Sequence, residues 1–302
     1  MGITRTQLLH HHLLLSPYQI FVALLPFLSF LLLLPLSAVA GDILSLVYKG
    51  CANQTLSAAY SYIQPLASVS SALTAQAATS KFYKVTASSS SPGGQPLFAL
   101  FQCRGDLSSS ACSACVTRVL PMWTSLCGGS AAAARVQLNG CYALYQAPGF
   151  PQVSGTQMLY KTCGSGGSGS GFETKRGTAL AQLQSGVAAG HGFYATSYAS
   201  VYAMAQCEGD LSVADCGECV AQAVQKSEVE CGGAASGQIY LDKCYVSYSY
   251  YTNGIPHGVG SVGGEGQTEK TVAIVVGSAA GIAFLVICLL FARSLMKKKD
   301  DY

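Results

Sequence analysis

The chain has 302 residues, half of them hydrophobic and only 10% charged, with 33 glycines, 13 cysteines and a formal net charge of +3. Within residues 41–270 the 12 Lys and Arg are matched by 12 Asp and Glu, so the positive excess sits at the two ends of the chain. That balance excludes nucleic acid as a partner, because phosphate neutralisation needs a concentrated basic face.

The first element is an apolar run. Arg5 precedes "LLLSPYQIFVALLPFLSFLLLLPLS", and Ala38-Val39-Ala40 follows as a small-x-small cleavage signal before Gly41. Residues 1–40 read as a secretory signal peptide rather than a first membrane span, since Pro35 and the Ala-x-Ala close the run. His10, His11 and His12 then leave with it and bind no metal.

From residue 41 the cysteines set the organisation. Twelve lie in the exported portion, and an even number in an oxidising compartment points to disulfides. Cys103, Cys112, Cys115, Cys127 and Cys141 have gaps of 9, 3, 12 and 14, and Cys207, Cys216, Cys219, Cys231 and Cys244 repeat them as 9, 3, 12 and 13. Cys51 precedes the first set and Cys163 the second, which gives two modules of six. Zinc would need further ligands beside each C-x-x-C, and His191 and His257 are far from both in sequence. A redox role would leave the pair without fixed mates, whereas every sulfur here has one within its module. No metal, cofactor or catalytic constellation is therefore expected, and the protein reads as a non-enzyme.

Within each module the elements alternate. "QPLASVSSALTAQAAT" reads as a helix and "QPLFALFQC" as a strand leading into Cys103. "SSSACSACVTRVL" is a second helix, capped among Ser108–Ser110, with Cys112 and Cys115 on its buried face. "ARVQLNGCYALYQ" is a hairpin turning at Asn139-Gly140. The second module repeats the plan: helix "TKRGTALAQLQSGVAA", strand "SYASVYAMAQC", helix "ADCGECVAQAVQKS" and hairpin "GQIYLDKCYVSYSYY" turning at Asp242-Lys243. Each module is thus α+β, an antiparallel sheet with helices on one face, stapled by disulfides. The boundaries are 41–162 and 163–253, with the flexible "GSGGSGSG" of Gly164–Gly171 marking the junction after Cys163.

A glycine-rich stalk covers 254–271, and "VAIVVGSAAGIAFLVICLLFA" follows at 272–292. Its 21 uncharged residues reach about 32 Å, enough to cross a bilayer once as a transmembrane helix. Arg293, Lys297, Lys298 and Lys299 in the tail, 293–302, place the C-terminus in the cytoplasm and make the protein type I. Gly277 and Gly281 form a small-x-x-x-small face for helix–helix contact and homo-oligomers. Cys288, inside the span, reads as a small apolar residue in preference to an acylation site.

The doubled C-x8-C-x2-C core, one Cys upstream and two downstream of each, and the single span with a short tail resemble the ginkbilobin-type cysteine-rich domains of land plants, arranged as in plasmodesmata-located proteins. Spacing leaves open the many pairings that six cysteines allow. The resemblance implies Cys51–Cys127, Cys103–Cys112 and Cys115–Cys141, then Cys163–Cys231, Cys207–Cys216 and Cys219–Cys244. It also implies a plasma-membrane protein at plasmodesmata that regulates cell-to-cell traffic, through callose deposition and plant defence. Its partners would be receptor kinases, callose-regulating proteins or wall carbohydrate. The tail is too short for a kinase, so signalling needs a partner. Alternatives are a wall-sensing co-receptor spread over the plasma membrane, and a membrane-tethered carbohydrate-binding or antifungal module.

Single-domain relatives of the resembled family bind mannose through an Asn, an Arg and a Glu at positions held here by Ala52, Arg135 and Gln146, and in the second module by Gly164, Gln238 and Ser249. Arg135 is the one match and the one candidate ligand-binding residue. With the amide and carboxylate lost, it reads more readily as a structural cation. Asn53-Gln54-Thr55 is an N-glycosylation acceptor. Arg104-Gly105-Asp106 spells an adhesion tripeptide, but the second copy is Glu208-Gly209-Asp210, so what persists is Gly-Asp-Leu, a turn before a helix.

Overall fold

The computed structural model describes residues 43–56, 60–88, 96–148, 153–166 and 171–255. The expected signal peptide, the stalk beyond residue 255, the span at 272–292 with Gly277, Gly281 and Cys288, and the tail lie outside the described residues. No helix among the described residues is long and apolar enough to cross a membrane.

The first module runs β1 (Leu46–Cys51), α1 (Tyr60–Gln76), β2 (Phe82–Ala87), β3 (Leu97–Cys103), α2 (Ser109–Val119), α3 (Met122–Cys127), β4 (Ala133–Leu138) and β5 (Cys141–Gln146). Its antiparallel sheet has the order β1-β4-β5-β3-β2. The second module runs β6 (Met158–Cys163), α4 (Phe172–Ala189), β7 (Phe193–Tyr198), β8 (Val201–Cys207), α5 (Val213–Cys231), β9 (Ser236–Leu241) and β10 (Cys244–Tyr250), and its sheet repeats the order as β6-β9-β10-β8-β7.

The helix starts follow local chemistry. Ser108 accepts a hydrogen bond from Ala111 N at 3.2 Å, and Ser212 accepts one from Asp215 N at 3.1 Å, each satisfying an orphan amide in the first turn. One helix of the second module is two in the first. Pro121 has no amide hydrogen and ends α2, so α3 begins afresh at Met122, whereas α5 carries Gln225 at the matching place, six residues before its last cysteine, and continues to Cys231.

Alternation along the strands sorts side chains onto two faces. Ala134, Val136 and Leu138 of β4, with Leu97, Ala99 and Phe101 of β3, pack under the helices around Val69, Leu73 and Trp123. The second module builds the same core from Ala203, Ala205, Ile239 and Val246 under Leu180, Leu183, Val220 and Ala223. Six disulfides lie within these cores or beside them, joining Cys51 to Cys127, Cys103 to Cys112, Cys115 to Cys141, Cys163 to Cys231, Cys207 to Cys216 and Cys219 to Cys244.

Two expectations need correction. The junction does not fall at Gly164–Gly171: β6 pairs with β9, Ala235 N donates to Ser165 O, and Gly171, at φ +77°, starts α4, so the described residues on either side both belong to the second module. The second sheet accordingly begins at Met158, ahead of Cys163, and the connection between modules precedes it. "SYASVYAMAQC" is not one strand either. Tyr198 pairs with Val201 across a two-residue turn in which Ala199 and Ser200 take φ of +43° and +73°. Such a turn ordinarily advertises itself with Asn-Gly, which this one lacks.

Cys51 is exposed and Cys127 half-buried, so their bridge acts mainly by closing a separation of 76 residues in the unfolded chain. Replacing both with Ala is expected to lower the unfolding free energy by about 4 kcal/mol. Guanidinium unfolding followed by Trp123 emission measures it.

Candidate functional site at the seam between the modules

The face of each sheet that carries no helix is also covered. In β3 and β5 the residues turned away from the helices, Leu100, Tyr142 and Leu144, form a separate buried cluster with Phe82 and Phe98 against it. Tyr48 of β1 stacks on Tyr160 of β6 at 5.1 Å between centroids and tilts against Tyr240 of β9 at 5.4 Å. Tyr240 in turn stacks on Tyr245 at 5.1 Å. The two helix-free faces therefore meet, and the modules share an aromatic seam.

At its centre is a reciprocal pair of hydrogen bonds. Gln102 Oε1 accepts from Gly209 N at 2.8 Å, and Gln206 Oε1 accepts from Gly105 N at 2.8 Å. Each amide group is held by its own module: Gln102 Nε2 donates to Cys103 O, and Gln206 Nε2 donates to Cys207 O, both at 2.8 Å. The glycines are required by contact. A Cβ on Gly105 would stand 2.4 Å from Phe193 Cβ and Cγ, and one on Gly209 would stand 2.6 Å from Phe82 Cγ.

Charged groups ring this centre. Arg135 donates to Asp242 Oδ1 at 3.0 Å and to Asp242 O at 2.9 Å, with its guanidinium 4.2 Å from the Tyr142 ring centroid. Lys84 pairs with Asp210 at 3.0 Å. Glu208, 3% exposed, accepts from Tyr142 OH across the seam and from Lys243 Nζ in its own module. Arg104 instead turns inward to its own neighbour, holding Asp106 through Nε at 2.7 Å and Nη2 at 3.1 Å while Nη1 reaches Asn139 O. The adhesion-like tripeptide is thus spent on the turn and the seam.

Burial drives the titration behaviour. Loss of solvation pushes the Glu208 carboxyl above its ordinary value, with the Lys243 ammonium pulling it back. Burial also raises the phenols of Tyr142, Tyr240 and Tyr245, which stay neutral. Asp210 ends below its ordinary value: burial pushes it up, but hydrogen bonding and the Lys84 and Lys243 charges outweigh that.

The sequence-derived site residues are distributed as follows. Arg135 and Gln146 share one face of the first sheet, since Gln146 pairs with Ala133, two residues before Arg135, whereas Ala52, just past β1, donates its N to Ala133 O and packs against the helix-side core. That face is the seam, and Arg135 is committed to Asp242. In the second module Gln238 Oε1 accepts from Tyr240 OH at 3.1 Å. Asn53 is exposed just beyond β1. Among the described residues no group of three or more His, Cys, Asp or Glu could hold a metal ion. Sequence reasoning missed Gln102 and Gln206, although both stand in a repeated Gln-Cys-x-Gly-Asp-Leu, at 102–107 and 206–211. A polar residue recurring inside an apolar strand was the signal.

Two outcomes follow from this geometry. Gly105→Ala should weaken the contact between modules by about 1–3 kcal/mol through overpacking while leaving each core intact. Small-angle scattering would read a larger radius of gyration with unchanged near-ultraviolet circular dichroism. For Glu208 the folded state binds its proton more tightly than the unfolded state, so the group adds stability that is complete below the ordinary value of 4.5 and lost as pH rises through the raised value. The guanidinium midpoint is therefore expected to fall as pH rises above the ordinary carboxyl value, and Glu208→Gln to flatten that slope; a slope unchanged in the variant excludes Glu208 as its source.

Comparison with known proteins agrees with this architecture. The Stress-antifung family model, described as salt stress response/antifungal, matches residues 50–148 and 161–251. Plasmodesmata-located protein 2 of Arabidopsis thaliana is 49% identical over 278 residues, covering 85% of this chain and 89% of the relative. Plasmodesmata-located protein 1 of the same plant is 42% identical over 303 residues, covering 94% and 97%. The crystal structure of the tandem DUF26 ectodomain of the cysteine-rich receptor-like protein PDLP8 of Arabidopsis thaliana superposes with a TM-score of 0.62 at 28% identity, over 68% of this chain and 98% of that one. The corresponding PDLP5 ectodomain gives 0.61 at 27% identity, over 68% and 99%. With both modules matched and near-full-length identity of this order, the chain belongs to the plasmodesmata-located protein family, whose ectodomain is a tandem of salt stress response/antifungal domains.

Proposed function

We propose that this protein is a type I plasma-membrane protein of plasmodesmata whose tandem ectodomain is a binding module and whose span and tail recruit the proteins that regulate traffic between cells. The observation that carries this reading is the 49% identity over 278 residues to a protein named for its location at plasmodesmata. The seam supports the binding part of it. Two lobes locked face to face present a preorganised surface, which lowers the entropy lost when a partner docks. In this reading the partners are receptor kinases, callose-regulating proteins or wall carbohydrate, the output is callose deposition and defence signalling, and the ectodomain itself catalyses nothing. A glycan on exposed Asn53 would sit at the rim of the first sheet.

The test is a fluorescent protein fused to the C-terminus and expressed in leaf epidermis. Paired spots across shared walls, coincident with callose staining, are expected. An even outline of the cell would instead support the co-receptor spread over the plasma membrane.

A further inference from the structure

On the helical side of the first module, away from the seam, a cavity of about 490 Å³ opens between α1 and the α2–α3 pair. Leu97 and Tyr145 rise from the sheet as its floor, Trp123 closes one wall and Leu66 another. Trp123 and Tyr145 meet edge to face at 5.2 Å. Ser70, Thr74 and Thr124 line the rim, and among the described residues no Asp, Glu, Lys, Arg or His lines the cavity.

The fold does not demand this opening, as the second module shows. The buried residues Val69 and Leu73 of α1, with Ala77 just beyond it, recur with the same spacing as Ala179, Leu183 and Val187 of α4, so Leu66 corresponds to Arg176. Tyr145 corresponds to Tyr248, four residues after the last cysteine of each module, and their hydroxyls donate to Ala131 O and Ala234 O respectively. Trp123 corresponds to Ser227, each four residues before its module's fifth cysteine. Arg176 lies 5.5 Å from the Tyr248 centroid and 5.6 Å from that of Phe172 and donates to Gly232 O, occupying the ground beside the tyrosine. In the first module Trp123 takes the ground beside the tyrosine, and the shorter Leu66 and the broken helix leave the opening above it, between α1 and the α2–α3 pair.

We infer that the first-module cavity is a binding site for an uncharged, largely apolar small molecule that carries a hydroxyl or N–H donor. Its volume lies within the usual range of small-molecule sites, roughly 300–1,000 Å³. The accessible apolar lining, Leu56, Tyr62, Ile63 and Leu66 above the buried aromatic floor, gains by being covered. A charged ligand would shed its water with no opposite charge to meet it. Thr74 and Thr124 spend their hydroxyl protons on Ser70 O at 2.9 Å and Pro121 O at 3.2 Å, so toward the cavity they offer lone pairs, which a donor on the ligand would use.

Trp123 is the one tryptophan of the chain and reports on this cavity alone. The two modules carry their own cores and bridges, and the solved relatives are likewise isolated ectodomains, so a fragment of residues 41–255 serves for the test. It is titrated with N-phenyl-1-naphthylamine and, separately, with 8-anilinonaphthalene-1-sulfonate, the same skeleton bearing a charge. Saturable one-to-one quenching of Trp123 with energy transfer to the neutral probe is expected, with the sulfonate at least about tenfold weaker, a difference of about 1.4 kcal/mol. Ser70→Phe and Ala67→Phe, which place a ring in the opening, should each weaken the neutral probe by about tenfold or more without lowering the melting temperature. Equal affinity for the two probes, or no saturable transfer in the wild-type fragment, overturns the assignment whether or not a filling variant folds; so does undiminished binding in both folded variants.

Discussion

Two backbone amides, Gly105 N and Gly209 N, each reach across to a glutamine of the opposite module, and much of the molecule is arranged so that they can. The exchange works only where the chain approaches with no side chain in the way, which is why Gly-Asp-Leu recurs in both copies while the residue before it changes from Arg104 to Glu208. A buried amide left without its acceptor costs about 1–3 kcal/mol, so the pair disciplines the docking geometry even though its net contribution is modest. The aromatic stack of Tyr48, Tyr160 and Tyr240 supplies apolar burial around it, and Arg135 with Asp242 orients the rim.

The same arrangement explains the composition of the strands. A sheet covered by helices on one side and water on the other would alternate apolar and polar residues. In β3, "LFALFQC", six of seven residues are buried, because both faces are covered. Gln102 survives there as a polar residue because every part of its amide is satisfied. The repeat is one of chain path rather than of chemistry: Pro121 divides one helix and Arg176 fills the second module where the first stays open.

Much of the local structure was legible. The doubled cysteine spacing marked two modules, the serines before the first C-x-x-C marked a helix start, and Asn139-Gly140 marked a hairpin, the last two through a local hydrogen bond or turn geometry. What could not be read depends on contacts distant in sequence. Ala199-Ser200 carries none of the usual turn residues, and its positive φ values are imposed by the pairing of β7 with β8. The "GSGGSGSG" composition reads as a tether, yet Gly164 to Gly166 are held beside β9 and Gly171 starts α4, so composition alone misplaced the module junction. Arg135 stood out in the sequence as a lone cation, but its partner Asp242 lies 107 residues away. The cavity is visible only by comparison of Leu66 with Arg176, after the two helices have been superposed in register.

Every one of the six sulfur bridges closes within a single module, and none crosses from one to the other. Under tension applied at opposite ends the bridged lobes resist as covalent knots, whereas their mating surfaces hold by weak forces alone. The join is thus the part of the ectodomain that no disulfide reinforces against load.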